Sequence, residues 1–167
     1  MRVLWAPWRM AYIGGAKESD CIFCIKPAAV DLREALVLAR TPHSVVMLNR
    51  YPYANGHVMV APRRHTADMI ALGAAEYAEL SETLRRTMGV LQHALQPDGM
   101  NIGMNLGHAA GAGIADHLHW HIVPRWVGDV NYMPLIGEVR VIPEHLAALY
   151  DRLRPVFAPL EASGAAG

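Results

Sequence analysis

The chain has 167 residues, 53% of them hydrophobic, and 15 Lys+Arg balance 15 Asp+Glu to a formal net charge of zero. That length suits one domain with a sizeable core, and the charge balance excludes a protein whose main task is coating DNA or RNA, which needs a basic field. No apolar run approaches the roughly 18–20 residues of a membrane span, and the N-terminus lacks a signal peptide's apolar stretch, so a soluble cytoplasmic protein with no membrane partner is expected.

Residues 1–20 carry Trp5, Trp8, Arg9 and Tyr12, interrupted by Pro7 and Gly14-Gly15. They read as an ordered arm that packs on the domain or on a second subunit, because a loose terminus would leave two tryptophans in water. A single domain is expected over residues 21–157, with a mobile tail at 158–167. Cys21 and Cys24 open the domain as a C-x-x-C knuckle. In a reducing compartment that spacing suggests a metal or a redox pair rather than a structural disulfide. No βαβ pattern follows, which argues against a thioredoxin-like role, and two simply buried thiols are the rival reading.

Residues 35–40 and 44–48 read as two strands around Thr41-Pro42-His43. A Pro- and Gly-punctuated loop spans 49–56, and a third strand follows over 57–61, stopped at Pro62. Thr66 or Asp68 is placed to cap a short helix through Leu72. A long helix is predicted from Ala75 to about Gln96. Its apolar face carries Tyr77, Leu80, Leu84, Met88, Leu91 and Leu95, and its charged face is assigned no function. Residues 100–106 read as a fourth strand with Asn101, Gly103 and Asn105 alternating with apolar neighbours. The loop 107–113 is built of small residues, which lets backbone N–H groups approach a phosphate closely. A short strand over 139–142 and a terminal helix over 144–157 complete the chain.

Residues 117–122 read His-Leu-His-Trp-His-Ile. Alternation with period two puts His117, His119 and His121 on one face of a strand and Leu118, Trp120 and Ile122 on the other. Pro124 is expected to end the strand, because it lacks the N–H a central ladder needs. A neutral imidazole is a good nucleophile near neutral pH. Attack of His119 on an α-phosphorus would give a nucleotidyl-histidine, resolved by water or phosphate. His117 and His121 are placed to stabilise charge on the phosphate oxygens, with backbone N–H groups of the small-residue loop as further donors. Cys21, Cys24, His65 and one triad histidine form a second constellation with the ligand types of a closed, tetrahedral zinc site.

These residues resemble the histidine-triad (HIT) family. The stretch from His117 to Val123 fits H-φ-H-φ-H-φ-φ, and Asn49-Arg50-Tyr51-Pro52 with Gly56-His57-Val58-Met59-Val60-Ala61-Pro62 is similar to the family's N-terminal signature. The resemblance implies an α+β fold: a five-stranded antiparallel sheet, one long helix and one or two shorter ones, in a homodimer with a continuous sheet. It implies purine nucleotides as ligands and transfer or hydrolysis at the α-phosphate. His119 would be the nucleophile, His121 would contact the scissile phosphate, and His57 would support the triad. Asn49 falls at the ribose position and Asn105 at a phosphate position, with Gly111, Gly113 and Trp126 completing the nucleotide-binding set. Zinc would be held by Cys21, Cys24, His65 and His117. Residues 4–12, 123–126 and 128–132 look like the bacterial group that contains diadenosine tetraphosphate phosphorylases. In one departure, Gly113 stands where many relatives carry Ser or Gln, which removes a side-chain donor. The resulting expectation is an enzyme that cleaves dinucleoside polyphosphates. The alternatives are a purine nucleoside phosphoramidate hydrolase and a zinc-stabilised nucleotide-binding module with little catalysis.

Overall fold

The computed structural model describes residues 21–129 and 144–162. The expected arm over residues 1–20, the 139–142 strand and the end of the tail lie outside them. Within them the chain forms α1 (Ile22–Ile25), β1 (Val37–Arg40), β2 (Ser44–Leu48), β3 (Val58–Pro62), α2 (Ala74–Leu95), β4 (Gly99–Met104), β5 (Trp120–Arg125) and α3 (Leu146–Ala162). The five strands make one sheet in the order β1-β2-β3-β5-β4, with every neighbouring pair antiparallel.

Period two along each strand divides the core into two layers. Leu48 pairs with Val58, and Val58 with Ile122. These three residues face α2 and α3 and join Leu80, Leu91, Leu153 and Phe157 in the larger cluster. Met47 pairs with Met59, Met59 with His121, and His121 with Gly103. That row lies on the opposite face, where Phe23 of α1 joins Val45, Met47, Met59 and Ala61 in a smaller cluster. Among the described residues, the histidine face is therefore covered by α1 at one end and has no α-helix packed over β5 and β4.

Several local expectations change. The helix through Leu72 does not form. Thr66 Oγ1 accepts the Asp68 N–H at 3.1 Å, and Asp68 Oδ1 accepts the Ile70 N–H at 2.8 Å. Such side-chain bonds compete with the helical ladder, and Ile70 stays exposed. The terminal helix begins at Leu146 and continues to Ala162, past Phe157, despite Pro155 and Pro159 in its interior. Proline in a helix costs about 3 kcal/mol. Extending the helix buries Leu160 as well as Phe157, and each such side chain contributes about 1.5–3 kcal/mol.

Pro124 does not end its strand. β5 runs on to Arg125, and Pro124 pairs with Met100 of β4. The β3 side of the ladder has already ended at Val58 and Ile122, so a missing N–H is tolerated there. The Pro124 ring instead lies against Gly56. That glycine has φ +75°, and a Cβ built on it would meet Leu95 Cδ1 at 2.5 Å and Pro124 Cγ at 3.1 Å. Gly56→Ala combines left-handed strain with overpacking, and a loss of about 2–4 kcal/mol is expected from those two effects. Urea denaturation would read it as a lower midpoint with an unchanged slope, and an unchanged midpoint would refute the close packing.

Candidate active site and metal centre

His117 and His119 lie in the extended stretch leading into β5, and His121 lies in the strand. The alternation expected from the sequence holds. Leu118 and Ile122 are buried, Trp120 packs on the larger cluster, and the three imidazoles point to the other face. His57, just before β3, completes the group and is 1% exposed.

Hydrogen bonds to groups that can only donate or only accept fix the state of each ring. A backbone carbonyl only accepts, so His119 Nδ1 donates to His117 O at 2.8 Å. In a neutral ring this leaves a lone pair on His119 Nε2. A backbone N–H only donates, so His57 Nδ1 accepts from Tyr53 N at 3.1 Å. His57 Nε2 must then carry the proton, which it gives to His121 Nδ1 at 2.9 Å. His121 in turn carries its proton on Nε2. The rings of His119 and His121 stand 4.9 Å apart between centroids and are nearly perpendicular. A bare nitrogen and an N–H donor therefore sit next to each other on the open face.

This assignment requires neutral rings. Burial, together with the charges of His121 and His119, pushes the pKa of His57 down to about 3. Burial, followed by the charge of His119, pushes that of His121 down to about 4. Burial also lowers His119, partly opposed by its bond to the His117 carbonyl. Near pH 7 the cluster is neutral and its tautomers are set by the backbone.

The second constellation also assembles. One donor atom from each of Cys21, Cys24, His65 and His117 lies within 4.8 Å of all the others. His117 Nδ1 is 3.2 Å from Cys21 Sγ, 3.6 Å from Cys24 Sγ and 3.3 Å from His65 Nδ1. The ring is aimed by its other nitrogen, because His117 Nε2 donates to Pro62 O at 2.7 Å. The Nδ1 lone pair therefore turns toward the two sulfurs. Both cysteines are free thiols, and the pKa of Cys24 is raised, by desolvation first and then by the neighbouring Cys21. A divalent cation would reverse that direction. Such a group can hold a metal.

The remaining predicted residues are placed as follows. Asn49 continues β2 on the histidine face, and its Oδ1 accepts the Tyr51 N–H at 2.9 Å, which leaves the amide NH₂ for a ligand. Asn105 follows β4 with the parity of Gly103, the partner of His121. Gly111 has φ +86° and gives its N–H to His108 O at 3.0 Å. Gly113 is exposed, and its N–H has no protein partner among the described residues. Trp126 is half-buried in the turn after β5, its N–H held by Asp129. Arg125 is not a free donor: it makes a two-point ion pair with Asp129 and also bonds Asn101 Oδ1. Sequence reasoning did not single out Phe23 or Tyr53. Phe23 lies 4.9 Å from His119 and 5.2 Å from His117 between ring centroids, and Tyr53 stacks on His57 at 4.7 Å. The position of Phe23 between the two cysteines was the available signal.

An antiparallel sheet that sets a bare histidine nitrogen and a histidine N–H side by side, next to a cluster of four potential metal ligands, defines a class of protein suited to histidine chemistry on an open sheet face. Comparison with known proteins gives that class its family. The HIT domain model matches residues 33–127, and the chain belongs to the HIT family. It is 39% identical over 151 residues to an AP-4-A phosphorylase of Mycobacterium tuberculosis (strain CDC 1551 / Oshkosh), covering 86% of this chain and 77% of that protein. It is 31% identical over 115 residues to the bis(5'-nucleosyl)-tetraphosphatase [asymmetrical] of Schizosaccharomyces pombe, covering 68% and 63% of the two chains. Among solved structures, a Zn-bound histidine triad family protein from Mycobacterium smegmatis superposes with a TM-score of 0.61 at 25% identity, covering 84% of this chain and 96% of that one.

Proposed function

We propose that this protein cleaves dinucleoside polyphosphates of the diadenosine tetraphosphate type at the α-phosphate, through a nucleotidyl-histidine on His119. The observation that carries this reading is the pair of opposite tautomers, with a lone pair on His119 Nε2 beside an N–H on His121 Nε2. His119 Nε2 attacks the α-phosphorus, a P–N bond forms, and the P–O bond to the remaining polyphosphate breaks. The departing oxygen is a stable polyphosphate anion and needs no proton, so the His121 N–H supports it by hydrogen bonding alone. An inorganic phosphate oxygen then attacks the same phosphorus, the P–N bond breaks, and His119 returns to its starting state. His57 keeps His121 in its donor form. The Asn49 amide serves the ribose, Asn105 and the Gly113 N–H serve the phosphates, and Gly111 shapes the loop that presents Gly113. Trp126 borders the nucleotide.

The assay is incubation with diadenosine tetraphosphate, with and without inorganic phosphate. ADP plus ATP, formed only when phosphate is present, is the expected result. AMP plus ATP in water would make the enzyme a hydrolase. Tight nucleotide binding without product in either case would favour the binding-module alternative.

We infer that the metal of the four-ligand cluster is zinc. Zinc–sulfur bonds of about 2.3 Å and zinc–nitrogen bonds of about 2.0–2.1 Å set tetrahedral ligands about 3.3–3.8 Å apart; four of the six donor separations, at 3.2–3.6 Å, lie near that spacing, and all lie within 4.8 Å. Zinc there would be structural, tying α1, the residues after β3 and the start of the histidine stretch together. We further propose a homodimer through β4. Its outer edge has no partner strand among the described residues, and Ile102 and Leu106 are exposed on and after it. An open apolar edge favours pairing with a second copy. Free thiols at a metal site suit the reducing cytoplasm, and we propose no nucleic-acid or membrane partner. Among the described residues no helix is long and apolar enough to cross a membrane.

A further inference from the structure

We propose that Tyr53 is a positioning residue of this site: its ring and its backbone N–H together hold His57 in the Nε2–H form that presents a donor to His121. The inference rests on the catalytic roles given above to His119 and His121, but its structural core does not.

The Tyr53 ring stacks on the His57 imidazole, with 4.7 Å between centroids and 29° between planes, and reaches to 5.8 Å from His121. Tyr53 is 48% exposed while His57 is 1% exposed. A large aromatic left half in water at a loop is therefore the wall between solvent and His57. The same residue supplies the N–H to His57 Nδ1 at 3.1 Å. The loop is tied so that both contacts stay in register. His57 N–H bonds Ala54 O at 3.3 Å, Asn49 N–H bonds His57 O at 2.9 Å, and Gly56 takes the left-handed turn between them.

The physical need for such a wall comes from imidazole itself. In water its two neutral tautomers lie close in energy and interconvert through the imidazolium. One backbone N–H, worth about 1 kcal/mol net, selects between them weakly if water can reach the ring. Excluding water strengthens that bond and penalises the charged intermediate. The charges that act on His57 come from His121 and His119, both of which also oppose protonation. If His57 switched tautomer, its Nε2 would present a lone pair to His121 Nδ1, and His121 would have to move its proton off Nε2. The donor beside the nucleophile would be lost without any change to the triad itself.

The test compares Tyr53→Ala and Tyr53→Phe with the wild type in two measurements. The first is imidazole 15N NMR of the substrate-free protein between pH 5 and 8. The expected wild-type result is a single Nε2–H tautomer for His57 with no titration in that window. Tyr53→Phe should match it, and Tyr53→Ala should show mixed tautomers or titration of His57. The second is steady-state kinetics, where Tyr53→Ala should lower kcat about tenfold with KM changed less than twofold, and Tyr53→Phe should restore kcat. Superimposable His57 spectra in Tyr53→Ala and wild type would overturn the proposal. A loss confined to KM would overturn it too, by making the ring a substrate platform. If the wild type fails to turn over any dinucleoside polyphosphate, the catalytic reading fails, yet the NMR comparison still decides the role of Tyr53.

Discussion

Replacing His119 with alanine is expected to reduce turnover of diadenosine tetraphosphate by at least about 10³-fold, because it removes the covalent route and not merely a contact. The structure makes this a sharp expectation. His119 Nδ1 is tied to the His117 carbonyl, so only Nε2 is available, and no other ring nitrogen in the cluster has its lone pair free on the open face. His57 uses both nitrogens within the protein and His121 offers an N–H. Acid-free denaturing quench of the wild type during turnover should trap a nucleotidyl group in a phosphoramidate bond, stable to base and labile to acid. Its absence in the wild type, or retention of activity in His119→Ala, would sink the covalent mechanism. Alanine leaves the neighbouring Phe23 with a small void, so the variant's Tm should be measured to separate loss of fold from loss of the nucleophile.

Removing the metal is the second large effect expected. Cys21→Ser, or chelation of the wild type, should lower stability by about 3–5 kcal/mol, part of the free energy that structural zinc contributes in small domains. At about 2–4 °C per kcal/mol for a chain of this size, Tm would fall by about 10 °C. Metal analysis should find about one zinc per chain in the wild type and little in Cys21→Ser. A metal-free protein with an unchanged Tm would remove the claim. Activity should fall with the metal, because the ligand His117 is also the residue whose carbonyl holds His119. With a metal bound, the two ends of that short stretch would be anchored by different forces, the metal at one and the sheet at the other.

The long helix and the shared face of the three histidines were legible in the chain because each is a local pattern, while the five-strand sheet followed from the resemblance to the HIT family. Period two in residues 117–122 and the three-to-four spacing of Leu80, Leu84, Met88, Leu91 and Leu95 are set by backbone geometry alone. Local rules failed where a competing local bond or a neighbouring strand decided the outcome. Residues 66–72 carry helix-capping types but spend them on their own backbone. Pro124 stays in its strand because β3 has already ended beside it.

The histidines show the same division. The sequence by itself determined that three imidazoles would share one face; that the two cysteines meet His65 and His117 is a contact across 41 to 96 residues that the fold decides. Only the tertiary structure decided which nitrogen of each ring carries the proton. That choice rests on the Pro62 carbonyl, the His117 carbonyl and the Tyr53 N–H; Pro62 lies 55 residues from the histidine it serves, and the Tyr53 N–H reaches His121 only through His57, 64 residues away from it. A proton's position on imidazole depends on a hydrogen-bond partner and on the exclusion of water, and neither is a property of the local chain.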